Sequence, residues 1–498
     1  MRLSGAAPGD RAAVAALLAW MAATGLAALI RPGELLEMSL IGAVVIVAWG
    51  LADAESLTPR LRWLSVLALA LPLTNTWPAR ALVAALTNVP AVVQTLLSPS
   101  TVLIAAFLVL VPWRSPLARA SLPYVAAGGL LAAAGIISSA FAAEPWDALR
   151  ATLHTHALPV AIGIAAACFV RRARDGWALV QPAAIAAAIP ALVGAAAYTL
   201  SFGVPLSGSD LVATKVALVR PFLFQEVTFG NVGHLADLAL LLLPAAALAV
   251  VREQTPRWIN VASGLAAAGL LSALVLTASR GALAVAAIEL LTLTALLAAR
   301  RTRAAVVPAA GLAVLALVAF SPAVRSSYVA LKPSLAFESI SPESAERVDV
   351  GPVVVTVGDA SAVERIDALR IGFRVARDHL PFGVGTGQYR DFDSVYTAPH
   401  SLAVQILAEN GVAGLIALAG IGVLLFTQAI RIARRVRTTE LDSFLLAAAC
   451  VVGPLGLLLH GVLVGAPLAV GQVNVWAALL WLQAGVLAGL ASSDARAE

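Results

Sequence analysis

Charge is scarce in this chain. Only 12% of its 498 residues are charged, against 60% hydrophobic residues and a mean hydropathy of +0.91. Soluble domains carry about 25% charged residues, so a soluble globular protein is excluded. Lysine is almost missing: apart from Lys215 and Lys332, every basic residue is arginine. The net charge is +5. In so apolar a chain basic residues first report membrane orientation, so nucleic acid is not an expected partner. Cysteine is down to two, Cys168 and Cys450, both inside apolar runs. They read as small packing residues, with no disulfide framework and no metal set. The roughly ten-residue alternating segments of a membrane β-barrel are also missing. No cleavable leader is evident: Arg11 opens an apolar run to Ile30 without a clear small-residue cleavage site.

What is present is a succession of apolar segments. They fall near 12–30, 38–53, 61–76, 99–113, 121–142, 154–170, 176–201, 234–252, 258–278, 281–299, 304–321, 409–430, 442–464 and 468–490. Most are long enough to span a bilayer as helices, while 61–76 and 99–113 are short for it. The expected fold is all-α, a polytopic bundle of 12–14 transmembrane helices. With a cytoplasmic N-terminus, alternation puts arginine in every inside segment, from Arg60 and Arg62 through Arg300, Arg301 and Arg303 to Arg434 and Arg435. Both termini are then cytoplasmic. The chain divides into N-terminal helices (1–201), helices with an outer loop at 202–233 (202–321), a large outer loop (322–408) and C-terminal helices (409–498).

Loops as long as the two outer ones are usually functional or disordered. The large loop begins with "SPESAERVDVGPVVVTVGD", read as mobile or as a short hairpin. In "SAVERIDALRIGFRVARDHLPFGVG", Ile366, Leu369, Phe373, Ala376 and Leu380 recur at helical spacing, and Pro381 ends the run. This predicts an amphipathic helix at the outer membrane–water interface. Arg370, Arg374 and Arg377 fall on one stripe beside its apolar face, with Arg365 on the other flank.

"GVGTG" (Gly383 to Gly387) lacks the strand before and helix after that a phosphate cradle requires, and reads as a tight turn. Asp391 and Asp393 read as solvated loop carboxylates. His400, in "TAPHSL" just before an apolar helix, could take a proton from a hydroxyl near neutral pH. Arg280 lies between two apolar spans at head-group depth, where a cation needs a partner. Arg220 sits in the other long outer segment, "VALVRPFLFQEVTFGNVGHLAD", and His234 starts the next helix. Glu289, Asp237 and His460 are isolated intramembrane polar residues, read mainly as contacts between helices. Arginine forks match a diphosphate in shape and charge, and a histidine near them could act as a base. That set suits glycan transfer from a lipid diphosphate.

"RPFLFQEVTFGNVGHLADLALLLLP", "LTASRGALAV", "ERIDALRIGFRVARDHLPFGVGTGQY" and "APHSLAVQILAENGVAGL" together resemble the O-antigen ligase and O-antigen polymerase family, over about residues 215–430. The resemblance implies a GT-C-like, metal-independent glycosyltransferase of the bacterial inner membrane that needs no cofactor. It implies transfer of a glycan from undecaprenyl diphosphate to a lipid or protein acceptor on the outer face. It implies catalysis by His400, with Arg220, Arg280 and Arg365 on the diphosphate. Arg374, Arg377 and His234 are further candidates. The chain departs from the family pattern at His400-Ser401, where His-Asn is common, and at Asn231-Val232-Gly233, where Asn-Pro-Asn is common. The alternatives are a polymerase of the same family, or a secondary transporter or flippase for lipid-linked or anionic solutes.

Overall fold

A computed structural model describes residues 59–73, 99–110, 121–202, 232–253, 255, 257–276, 279–320, 346–350, 353–357, 360–392, 398–464 and 475–497. Some side chains at element ends, including those of 189–202, 232–234, Arg280 and 361–364, fall outside the description. The expected segments 12–30 and 38–53 lie outside the described residues, and so does Arg220 with most of the 202–233 loop.

The described chain is a helix bundle. Its helices are α1 (Pro59–Ala70), α2 (Pro99–Leu110), α3 (Leu122–Ser139), α4 (Pro145–Thr152), α5 (Leu158–Phe169), α6 (Ala173–Phe202), α7 (Val232–Ala249), α8 (Arg257–Leu276), α9 (Arg280–Ala299) and α10 (Val306–Phe320). An antiparallel hairpin, β1 (Glu346–Val350) and β2 (Val353–Val357), follows in the large loop. Then come α11 (Ala360–Asp378), α12 (Leu402–Arg434), α13 (Leu441–Val464) and α14 (Val475–Ala497). Every apolar segment that falls on described residues meets one of these helices. Five stretches are both long and apolar enough to cross a membrane: Leu122–Ser139, Pro145–Phe169, Gly281–Ala299, Leu402–Arg434 and Leu441–Leu463.

Helix α7 is the centre. From Leu235 to Ala249 it is buried on all sides, as expected of a helix apolar all round. Pro244 removes one N–H from its ladder, and the Gln483 side chain donates to the nearby Leu241 carbonyl at 3.1 Å. Glycines let helices touch backbone to backbone: a Cβ on Gly163 would stand 2.7 Å from the Trp481 carbonyl oxygen.

One end of the bundle gathers the basic turns. Arg252 grips Asp442 with two hydrogen bonds of 2.8 and 3.2 Å and donates to Gln181 at 2.8 Å. Its guanidinium lies over the Trp177 ring, whose N–H donates to the Asp442 carbonyl. Nearby, Arg300 donates to the Val436 carbonyl and covers the Phe444 ring. The other end carries the turn 140–144, the start of α9 and the polar part of the large loop.

Two expected bounds change, and packing adds a buried face to α11. The helix expected at 154–170 begins at Pro145 and runs through a π-helical turn, Leu153–Ala157, which holds His154 and His156. The C-terminal helix expected from 409 begins at Leu402 and breaks at Gly411 (φ 66°, ψ −163°), a conformation open essentially only to glycine. The buried face of α11 is Ala368, Gly372, Val375 and Ala376, whereas Phe373 and Leu380 are exposed at 55% and 48%. Spacing alone could not tell which of two apolar stripes would meet α12.

Candidate functional site

His400 and the glycine-rich turn are built by one local problem. Gly411 ends the short helix 402–410, and a helix that stops leaves its last carbonyls without donors. The turn supplies them. Val384 N–H donates to the Ala408 carbonyl and Gly385 N–H to the Glu409 carbonyl, both at 2.9 Å. Val412 N–H donates back to the Pro381 carbonyl at 3.0 Å. Such close approach explains the glycines. Gly383, Gly385 and Gly387 have φ of 84°, 99° and 77°, and a Cβ on Gly383 would stand 2.5 Å from the Glu409 carbonyl oxygen. "GVGTG" is therefore a capping turn for the helix that follows His400.

A buried polar chain ties this turn to the bundle. Thr386 Oγ1 lies 2.8 Å from Thr152 Oγ1 and accepts from Asn410 Nδ2 at 2.7 Å. Asn410 Oδ1 meets His156 Nε2 at 3.3 Å, and Ser139 Oγ lies 3.4 Å from Thr152. Beside it, Gln405 donates to Glu409 Oε1 at 3.2 Å, and the backbone N–H groups of Gly387 and Tyr389 face the same carboxyl. Glu409 Oε2 itself is buried without a hydrogen-bond partner at ordinary distance among the described residues. Buried networks of this kind fix a single geometry when their members are satisfied. Motif reasoning did not single out Thr152, His156, Thr386, Glu409 or Asn410. The one available signal was the polar "AEN" directly ahead of an apolar helix.

His400 itself is exposed, with φ 51°, in the left-handed region that non-glycine residues seldom occupy. The preceding Pro399 is buried against α11: a Cβ on Gly372 would come 2.5 Å from the Pro399 Cβ. Arg365 lies seven residues before Gly372, two turns of helix, and so on the same stripe of α11. Its side chain is exposed. Arg374 and Arg377 are exposed on the other side of α11, together with Phe373. Arg377 donates to Asp378 at 2.8 Å, and this pairing raises the arginine and lowers the carboxyl. Of the expected arginines, the helix register groups Arg365 with the Pro399–His400 side and leaves Arg374 and Arg377 apart.

Arg280 is the first residue of α9. Ser279 caps that helix, its hydroxyl accepting from the Ala282 N–H at 3.4 Å. The far end of α9 meets the basic turns at Arg300, so Arg280 starts at the His400 end. His234 lies in the first turn of α7 at the same end. The side chains of both are outside the described residues.

Aromatic rings ring this end. Phe141 stacks on Phe382 with centroids 4.5 Å apart, and Phe392 meets the His379 ring edge-on at 4.9 Å. Phe141, Trp146, Phe373, Phe382 and Phe392 are all exposed.

Deeper in the bundle, sequence reading treated Asp237 and His460 as isolated. They are partners: His460 Nδ1 and Asp237 Oδ1 lie 2.6 Å apart, both 1% exposed. Among the described residues no cluster of three His, Cys, Asp or Glu side chains could hold a metal ion.

The sequence model of the O-antigen ligase family matches residues 265–419. The match takes in Arg280, α11, the capping turn and His400, and it begins after Arg220, His234 and Asp237. A search of curated proteins gives no match.

Proposed function

We propose that residues 265–419, which belong to the O-antigen ligase family, make this membrane protein a glycosyltransferase acting on a lipid-linked glycan. The donor in this reading is a polyprenyl diphosphate, the acceptor is a hydroxyl, and the reaction takes place on the outer face of the inner membrane. The end with Arg252, Arg300 and Arg435 is cytoplasmic, as the excess of arginine there argues. His400 is then on the outer side, and the exposed rings of Phe141, Trp146, Phe373, Phe382 and Phe392 sit at head-group level, where aromatic side chains accumulate.

The observation that carries the reading is the mounting of His400. An exposed imidazole stands on a short helix whose far end is capped by the glycine turn, and Pro399 seats it against the stripe of α11 that bears Arg365. His400 takes the proton of the acceptor hydroxyl as its oxygen bonds to the anomeric carbon. The bond from that carbon to the phosphate oxygen breaks, and the diphosphate stays on the lipid. Negative charge grows on the leaving phosphate. Arg280 and Arg365, with Arg220 from the other outer loop, stabilise it most where it is greatest, in the transition state.

The test is a cell-envelope glycan profile of a deletion strain carrying wild type or His400→Ala. Loss of finished glycoconjugate in the His400→Ala strain, with lipid-linked precursor accumulating on the outer face, is the expected result. General-base removal should slow transfer by about 100-fold or more. Precursor trapped on the inner face would favour transport, and full transfer by His400→Ala would end the base assignment.

A further inference from the structure

Asp237, His460 and Glu289 come from three helices, α7, α13 and α9, that pack on one another. All three side chains are buried, at 1%, 1% and 2% exposure. Asp237 satisfies one ring nitrogen of His460 at 2.6 Å. The other, Nε2, is buried with no hydrogen-bond partner among the described residues, and so are both carboxyl oxygens of Glu289. The Glu289 carboxyl lies against Gly456, where a Cβ would collide with it. Gly456 and His460 are four residues apart on α13, so they share a face about 6 Å apart. Side chains on a helix lean toward its N-terminus. For Glu289 that direction leads along α9 toward Arg280, the end at which His460 lies. Three unmatched polar atoms thus occupy one face of α13 within about one turn of helix.

Among the described residues the surroundings offer no further partner. In the neighbouring helices, α8 carries only Arg257 and α10 carries no ionisable residue. The charged residues of α6 (Arg174, Asp175) and of the C-terminal parts of α12 and α14 (Arg431, Arg434, Asp494, Arg496) belong to the basic end, and Glu409 to the capping turn. On the three helices themselves the remaining ionisable groups are His234 and Arg280 in first turns, Asp442 at the basic end and Cys450. An ionised carboxylate without any counter-charge or donor is very costly in such an interior.

We propose that Asp237, His460 and Glu289 form an intramembrane proton-binding relay. One proton is shared, through water, between the Glu289 carboxyl and His460 Nε2. In one state Glu289 is a neutral acid, His460 is neutral with its Nδ1–H donated to Asp237, and Asp237 is charged. In the other the proton has crossed to Nε2, leaving a Glu289 carboxylate and an imidazolium held by Asp237. The total charge is the same in both. Asp237 lies about one and a half turns inside the start of α7 and His460 about one turn inside the end of α13, so protons enter from the His400 end. The relay does not depend on the glycan-transfer reading.

Infrared difference spectroscopy tests it on the full chain in lipid nanodiscs. Wild type minus Glu289→Gln should reveal the carbonyl stretch of a protonated acid, which shifts within minutes of transfer to heavy water. In His460→Gln and in Asp237→Asn that exchange should slow by about tenfold or more, because it then needs helices to open. Wild type labelled with nitrogen-15 at histidine repeats the test without a substitution: the His460 ring signal and the Glu289 band should change together as pH is varied. The proposal falls if Glu289 shows no acid band, if the band does not exchange, or if both variants exchange like wild type. It falls also if the two groups titrate independently, or if sodium abolishes the band at constant pH.

Discussion

The Gly385 N–H donates to the Glu409 carbonyl at 2.9 Å, twenty-four residues away along the chain. This contact joins the large loop to the helix of His400, because it replaces the donor that Gly411 denies that helix. The loop and His400 are thereby parts of one unit.

Substituting the turn glycines separates strain from crowding. Gly385→Ala adds a Cβ 2.6 Å from the Ala142 Cβ at a φ of 99°. Among the described residues Gly387→Ala meets nothing closer than 3.5 Å and bears only the cost of its φ, 77°. That cost is about 1–2 kcal/mol. Thermal unfolding of the purified protein should rank Gly385→Ala clearly below Gly387→Ala, and equal losses would contradict the capping geometry.

Thr386→Val keeps the shape of the side chain and removes a hydroxyl that serves both Thr152 and Asn410. Leaving such partners buried and unsatisfied costs about 1–3 kcal/mol. Thr386→Ser should retain most of the stability. Denaturant titration of both variants gives the comparison, and a Thr386→Val protein as stable as wild type would show that the chain of hydroxyls is dispensable.

On α11, Arg365 shares the stripe of Gly372 and Arg374 does not. If Arg365 meets the diphosphate, Arg365→Ala should lower kcat/KM by about 10- to 100-fold, the worth of a charge-assisted hydrogen bond. Arg374→Ala should change it little. In vitro transfer with a polyprenyl-diphosphate glycan would measure both, and the reverse order would move the donor to the other side of the helix.

At the basic end, Arg252→Ala strands a nearly buried Asp442 carboxylate (13% exposed). Breaking one partner of a buried pair costs about 3–5 kcal/mol. Arg252→Ala with Asp442→Ala should be less damaging than the sum of the single changes. The folded fraction should still transfer glycan, since the pair lies at the opposite end of the bundle from His400.

The sequence by itself determined the helical membrane bundle, its apolar segments and the basic turns between them. Run length, composition and charge are local properties that a bilayer reads directly. It also singled out His400 and the arginines, because their residue types suit the chemistry and their motif resembles a family. Only the tertiary structure decided what the glycine turn does, since its purpose is to satisfy carbonyls of a helix that starts later in the chain. The same holds for the buried face of α11, where two apolar stripes compete and packing against Pro399 and Val404 selects one. It holds for Asp237 and His460 as well. Separated by 223 residues, they look isolated until α7 and α13 are laid side by side. Hydrogen bonds and packing between distant segments depend on relative position, which no local pattern encodes.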